Sequence, residues 1–94
     1  MKYFDWNSQK NEKLRAERDI GFEDCLLAIE EGKILDILEH KNKKKYPNQK
    51  IFVLEISGYA YLAPFVEDKD KVFLETIIPS RKATKEYLLK IKNK

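Results

Sequence analysis

The sequence predicts an α+β fold in which an antiparallel β-meander packs with two N-terminal helices and a C-terminal helix. One observation behind this prediction is that residues 7–31 combine helix-forming residues with a single apolar stripe at helical spacing. Another is that residues 51–79 consist of apolar and aromatic segments separated by short turn signals. Consecutive strands joined by short turns pair as a meander, which gives the element order β-α-α-β-β-β-β-α.

Composition limits the class of protein. The 94 residues suit one domain, residues 1–94, and the 43% of hydrophobic residues suffice for a modest core. The net charge of +3 permits nucleic-acid binding without requiring it. One cysteine, Cys25, and one histidine, His40, rule out an internal disulfide and a multi-histidine metal site, so no metal and no cofactor are expected. No segment resembles a membrane span or a signal peptide, and a cytoplasmic location is expected.

The chain begins with a predicted strand and a polar helix. Residues 3–6 alternate and are rich in aromatic side chains, which is typical of a strand. Asn7 or Ser8 can cap the helix that follows over residues 7–18. This helix has almost no apolar residues, so it is expected to lie on the surface. The segment at residues 19–21 contains a glycine and ends it.

A second helix is predicted from residue 22 to about residue 31. Its apolar stripe falls at i, i+3, i+4 and i+7 and is suited to packing on a sheet; the stripe consists of Phe22, Cys25, Leu26 and Ile29. Gly32 stands where a helix C-cap glycine belongs. Residues 34–39 then favour a strand, although this apolar run fits a helix end nearly as well.

The second half of the chain predicts strands and a final helix. The predicted elements are a loop at 41–49, strands at 51–56, 59–67 and 71–79, and a helix from 80 to about 91. Ser57-Gly58 is a tight-turn signal. Pro64 indicates that its strand lies at an edge or carries a bulge. The apolar residues of the last helix recur at helical spacing; they are Ala83, Tyr87, Leu88 and Ile91.

The junction between the last strand and the last helix predicts a phosphate site. Arg81 follows Ser80 at the helix start, where free N–H groups and the helix dipole favour an anion. Its planar guanidinium can bind two phosphate oxygens, which makes it the first candidate catalytic residue. Lys82 is the second. The alternative for Arg81 is a surface ion pair with a carboxylate, and Ser80 is more simply explained as the helix cap.

The loop at 41–49 is a candidate RNA-binding element. Lys43, Lys44 and Lys45 form a basic run that can follow an RNA backbone, or simply be a solvated loop. His40, the one side chain with an ordinary pKa near neutrality, is a candidate general acid or base, or else a solvated histidine. Tyr46 can stack on a base or pack against Pro47.

The polar first helix offers two further basic residues. Arg15 and Arg18 are spaced i, i+3 and share one helix face, from which they can contact RNA beside Arg81. The alternative is pairing with Glu12 and neighbouring acidic residues. Cys25 belongs to the apolar stripe and is interpreted as a small core residue, not a nucleophile.

Four segments in this order resemble the BrnT family of toxins from type II toxin–antitoxin systems, in a divergent subgroup. They are Phe4-Asp5-Trp6, the polar stretch 7–13, Gly21-Phe22-Glu23-Asp24, and Ile77-Ile78 followed by Ser80-Arg81-Lys82-Ala83-Thr84. The last resembles the family's most specific segment. Many members carry a Lys-His pair where this chain has Glu17-Arg18, so a histidine role at that position is not carried over.

The resemblance implies a RelE-like fold and a metal-independent endoribonuclease that cleaves RNA through its 2′-hydroxyl and inhibits translation. The expected substrate is messenger RNA. The expected partner is a cognate antitoxin of the ribbon-helix-helix kind, which binds DNA, so that the toxin meets DNA only through it, in a possible heterotetramer. No membrane association is expected. Two alternatives stay open: a non-catalytic RNA- or protein-binding module of the same fold, and a domain that acts by homo-oligomerisation through a strand edge.

Overall fold

A six-stranded mixed sheet forms the centre of the molecule, with two helices on one face and a C-terminal helix on the other. The structure, a computed structural model, describes residues 2–89. Its elements are β1 Tyr3–Asp5, α1 Ser8–Arg18, α2 Phe22–Glu30, β2 Ile34–Glu39, β3 Gln49–Ile56, β4 Tyr59–Glu67, β5 Lys71–Leu74, β6 Ile78–Pro79 and α3 Arg81–Ala83. The last of these continues as a π-helical segment, Thr84–Leu89. The predicted α+β class is confirmed.

The sheet has the order β1-β5-β4-β3-β2. β2 to β5 pair antiparallel with their neighbours, as the meander prediction requires. β1 adds to the far edge and is parallel to β5, with Phe4 opposite Val72. The turn between β3 and β4 has positive φ at both Ser57 (+54°) and Gly58 (+79°), which is the type I′ geometry that matches the twist of a hairpin.

The prediction of one continuous strand over 71–79 is wrong. β5 pairs with β4 at Phe65 and β6 pairs with β4 at Leu62, while residues 75–77 leave the ladder between them. The Pro64 carbonyl oxygen accepts from the Glu75 amide at 2.9 Å, so the proline nitrogen faces the same break. Because Pro64 has no N–H to donate there, the neighbouring strand cannot stay paired. Of the two alternatives expected for Pro64, an edge position or a bulge, the edge position is wrong, since β4 lies between β3 and β5.

Local signals set the ends of the first two helices. The Asn7 side chain accepts from the Lys10 amide at 2.9 Å, which confirms Asn7 as the N-cap of α1. After α2, Gly32 adopts a φ of +76°, and its amide donates to the Ile29 carbonyl at 3.2 Å. The Lys33 amide donates to the Ala28 carbonyl at 2.9 Å. These two bonds form a Schellman motif, so the predicted C-cap glycine is confirmed.

The main core lies between α1, α2 and the sheet. Phe22 and Cys25 of the predicted stripe are fully buried, while Leu26 and Ile29 are half-buried. Trp6 stacks on Phe22 with ring centroids 5.7 Å apart. The sheet contributes alternate residues of its strands to this core; they include Phe52, Leu54, Ala63, Phe65, Val72 and Leu74.

The opposite face of the sheet is only partly covered. The C-terminal helix buries Val53, Ala60 and Ala83 there, with Tyr87 and Leu88 packed around them. Ile91 of the predicted helix lies outside the described residues. The remainder of this face, which we call the open sheet face, carries half-buried or exposed apolar side chains; by register they are Leu38, Ile51, Pro64, Val66, Phe73 and Ile78.

A buried amide joins α1 to the start of α2. Asn11 is 9% exposed, and its Oδ1 accepts from the Phe22 amide at 2.7 Å. Its Nδ2 donates to Glu23 at 2.8 Å, and this hydrogen bond is the main reason why the pKa of Glu23 lies below its ordinary value. Phe22 is the first residue of α2, so its amide has no partner within the helix. Asn11 therefore satisfies a helix end that the core encloses.

We expect Asn11→Ala to lower the free energy of unfolding by about 1–3 kcal/mol, because the Phe22 amide would stay buried without an acceptor. Urea unfolding followed by circular dichroism measures the change. Gln9→Ala, at an exposed position of the same helix, is the matched control and should change stability little. Equal effects of the two substitutions would show that the Asn11 hydrogen bonds contribute nothing.

Candidate nucleic-acid interface

The start of the C-terminal helix is tied to the beginning of β4. The Ser80 amide donates to the Ala60 carbonyl at 3.0 Å, and the Ser80 side chain accepts from the Ala83 amide at 3.0 Å. The buried Thr84 hydroxyl accepts from the Ala60 amide at 2.9 Å and donates to the Ser80 carbonyl at 2.7 Å. Ser80 is thus the helix cap, as the sequence indicated.

Arg81 and Lys82 leave this anchored turn toward solvent. Both side chains are exposed, and neither forms an ion pair with a carboxylate of residues 2–89. The helix prediction needs a correction here, because only three residues are α-helical before the π-helical segment begins. An anion at this point would be held mainly by the two cationic side chains.

Lys82 also lines a groove of about 240 Å³ between the C-terminal helix and strands β2, β3 and β4. Leu38, Val53 and Leu62 form its apolar floor, and Glu86 and Tyr87 line its helix side. The groove therefore connects the cationic helix start with the open sheet face.

A hydrogen bond that the sequence does not signal fixes the far end of this helix. The Tyr87 hydroxyl donates to Asp36 Oδ2 at 2.6 Å, and Asp36 Oδ1 accepts from the Ile37 amide at 2.8 Å. This contact holds the pKa of Asp36 below its ordinary value and raises the pKa of Tyr87 to about 12. Tyr87 therefore ties the helix to the edge strand β2.

The loop after β2 is held by its own side chains. His40 Nδ1 accepts from the Asn42 amide at 3.0 Å, which leaves Nε2 as the ring nitrogen that can form a hydrogen bond with a ligand. The His40 and Tyr46 rings lie 4.5 Å apart, and Lys45 Nζ is 5.6 Å from the centre of the Tyr46 ring. Lys43 pairs with Glu39 at 2.5 Å. Lys44 and Lys45 are exposed and form no ion pair within the described segment.

The three predicted catalytic residues do not converge. Arg81 and Lys82 are adjacent. The preceding residue, Ser80, lies beside Ala60 of β4, to whose carbonyl its amide donates. His40 is level with Gln49 of β3, which pairs with Val66 of β4. Ala60 and Val66 are six positions apart on one strand, a distance of about 20 Å. The backbone of His40 therefore lies about 20 Å along β4 from the level of Ser80. The groove lined by the Lys82 side chain extends part of this way, as far as Leu38, two residues before His40.

Arg15 and Arg18 make contacts on the helical side of the molecule. Arg15 pairs with Glu23 at 2.9 Å and with Asp24 at 3.5 Å, in place of the Glu12 partner that the sequence offered. Arg18 Nη1 donates to the Ile77 carbonyl at 2.9 Å. Both arginines thus connect structural elements, and Arg18 supports the segment that leads to Arg81.

A second cavity, of about 250 Å³, lies under the loop. Its lining residues come from the loop, from β4 and from the break after β5; they are Tyr46, Pro47, Asn48, Gln49, Val66 and Glu75. Sequence reasoning identified Tyr46 but missed Asn48, Gln49 and Glu75. Only the strand register brings Glu75 near the loop, and no local pattern signals it.

Comparisons with protein-family models, with curated proteins and with solved structures found no match for this chain.

Within residues 2–89, no group of three acidic, histidine or cysteine side chains is placed to hold a metal ion. No helix of that segment is long and apolar enough to cross a membrane. Burial raises the pKa of the Cys25 thiol to about 12, in agreement with its interpretation as a core residue.

We expect Tyr87→Phe to destabilise the protein at pH 7, because Asp36 loses its hydroxyl partner. Asp36 has a lowered pKa, so the bond contributes above the ordinary Asp pKa of about 3.9 and is lost as the pH falls through the lowered value. Tyr87 has a raised pKa, so the contribution is complete below about 10 and is lost as the pH rises toward 12.

Thermal unfolding of wild type and Tyr87→Phe across this pH range tests the prediction. The difference in Tm should be largest between these limits and should shrink toward both ends. Tyr59→Phe is the control, since the Tyr59 hydroxyl makes no hydrogen bond within residues 2–89. A Tm difference that does not vary with pH would contradict the assignment.

Proposed function

We propose that this protein is a toxin of the BrnT type with a RelE-like fold, which cleaves RNA in the cytoplasm and thereby inhibits translation. One observation carries the proposal. Arg81 and Lys82 project, without carboxylate partners among residues 2–89, from an anchored helix start beside the open sheet face. A basic loop stands at the far end of the same face. This arrangement suits a single RNA strand lying across the face.

The chemistry needs no metal. The 2′-oxygen of the RNA attacks the adjacent phosphorus while the bond from phosphorus to the 5′-oxygen breaks. The products are a 2′,3′-cyclic phosphate and a 5′-hydroxyl. Over the whole reaction, the 2′-hydroxyl loses one proton and the leaving 5′-oxygen gains one. The phosphorane carries extra negative charge, which the Arg81 fork and the Lys82 ammonium are placed to stabilise. Fixed cations of this kind usually supply the larger share of the rate.

The proposed partner is a ribbon-helix-helix antitoxin that binds DNA and neutralises the toxin in a heterotetramer. The open sheet face offers apolar side chains flanked by lysines and arginine, which complements an amphipathic and acidic segment. A segment of this kind on that face would cover Arg81 and Lys82. DNA is then contacted only through the antitoxin.

A second candidate function is a non-catalytic RNA-binding module of the same fold. The separation of about 20 Å along β4 between the backbone levels of His40 and Ser80 favours it, because it leaves His40 away from the start of the helix that carries Arg81. General acid–base catalysis contributes about 10²–10⁴ to a rate, so its absence would leave a slow nuclease or none.

We expect Arg81→Ala to lower the rate of RNA cleavage by about 10²–10³, because it removes the main charge that stabilises the phosphorane. The measurement is cleavage of RNA by purified protein, together with growth and total RNA after induced expression. Arg81→Lys keeps the charge without the bidentate fork and should lie between alanine and wild type.

Lys13→Ala, which removes one exposed positive charge from α1 on the other side of the sheet, is the control for Arg81→Ala. The control should cut RNA like wild type. Folded wild-type protein that binds RNA through Arg81 and Lys82 but leaves it intact would support the binding module. Wild-type protein that neither binds nor cuts RNA would refute both candidates.

A further inference from the structure

The cavity under the loop is built by three segments that are remote in sequence. Tyr46, Pro47 and Asn48 form one side, Val66 of β4 lies at its base, and Glu75 comes from the break after β5. With about 250 Å³ of open space, it has room for one planar ring system of nucleobase size but not for a large ligand.

The polar groups of the cavity are held in place by hydrogen bonds, but some of their donors and acceptors have no partner within residues 2–89. Gln49 Nε2 donates to Glu75 Oε1, and this bond crosses above β4. The backbone at Asn48 is fixed, since its carbonyl accepts from the Glu67 amide at 3.2 Å. Glu75 Oε2 and the side-chain amide of Asn48 have no hydrogen-bond partner within residues 2–89. The cavity therefore presents to a ligand the free Oε2 of Glu75, the remaining lone pair of its Oε1, and the Asn48 amide.

An aromatic ring and a cation stand at the mouth of the cavity. Tyr46 is 40% exposed and its ring is braced by His40, with 4.5 Å between centroids. Bases stack on exposed tyrosine rings of this kind. Lys45 Nζ, 5.6 Å from the Tyr46 ring centre, can reach the phosphate that accompanies a base stacked there.

We propose that this cavity binds one guanine base of an RNA strand. Guanine presents two adjacent donors, N1–H and the 2-amino group, beside the acceptor O6. A carboxylate accepts from both donors and an amide N–H₂ donates to O6, which are the groups that Glu75 and Asn48 supply. Adenine instead turns an unprotonated N1 toward the carboxylate, and uracil offers one donor between two acceptors.

This inference rests on the proposed function and gives that function a sequence preference. The cavity and the Arg81 turn lie about 20 Å apart along β4, at opposite ends of the open sheet face. A strand seated in the cavity would therefore be cut a few nucleotides away, and the guanine would set the position of cleavage without taking part in it.

Titration of the full chain with guanosine, adenosine and uridine 5′-monophosphates, followed by amide NMR shifts, tests the cavity independently of any cleavage. We expect shifts at the amides of Tyr46, Asn48, Gln49, Val66 and Glu75, and a preference for the guanosine nucleotide of about tenfold or more. Glu75→Gln keeps the size of the side chain and its bond to Gln49, and should abolish the preference. Glu30→Gln, an exposed carboxylate on α2, is the matched control and should retain it.

Tyr46→Ala should weaken binding of each nucleotide by about tenfold or more, since stacking does not depend on base identity. Equal affinity for the three nucleotides, or shifts confined to the Arg81 turn, would overturn the proposal. RNA cleavage that needs Arg81 but is unaffected by Glu75→Gln would refute the guanine site and leave the proposed function standing. If the cavity binds the guanosine nucleotide but the protein neither binds nor cuts RNA chains, the proposed function is refuted and the guanine-binding cavity remains.

Discussion

The hydroxyl of Thr84 is the contact on which the position of the candidate site depends. It is buried, accepts from the Ala60 amide and donates to the Ser80 carbonyl, so that one side chain closes the last helix onto the first residues of β4. β6 pairs with β4 only at Tyr61 and Leu62, so no strand residue accepts from the Ala60 amide on the β6 side of β4. A buried amide without an acceptor costs about 1–3 kcal/mol. The same bond therefore satisfies the sheet and fixes the turn from which Arg81 and Lys82 project.

The two faces of the sheet are packed by side chains of different size, and one of the faces is left partly uncovered. Large residues such as Phe22, Phe52 and Leu54 fill the side of α1 and α2. Ala60 and Ala83 lie at the centre of the other side, where their small side chains allow the C-terminal helix to approach closely. The described part of that helix covers the face around Val53, Ala60 and Leu62. The remainder of the face stays open toward the loop and the cavity.

Short-range signals in the sequence predicted much of this fold. The Asn7 cap, the glycine at Gly32 and the Ser57-Gly58 turn depend on residues within four positions of each other, and the structure confirms all three. The break after β5 depends on Pro64 in another strand, so no pattern within residues 71–79 could reveal it. The separation of His40 from Arg81 is likewise a property of strand register. For this reason the sequence could predict which residues are candidates. It could not predict that they lie in two separate groups on one face of the sheet.

Asp36 links the edge of the sheet to the helix that partly covers it. Homo-oligomerisation through a strand edge requires free backbone groups on that edge. In β2 the register shifts between Ile34 and Asp36, and the Ile37 amide donates to the Asp36 carboxylate at 2.8 Å. Both features are ways in which proteins keep edge strands from pairing. Because the other oxygen of Asp36 binds Tyr87, the C-terminal helix holds the carboxylate that protects the edge. A rearrangement that carried this helix away from the sheet would thus widen the open face and weaken the protection of β2 in one step.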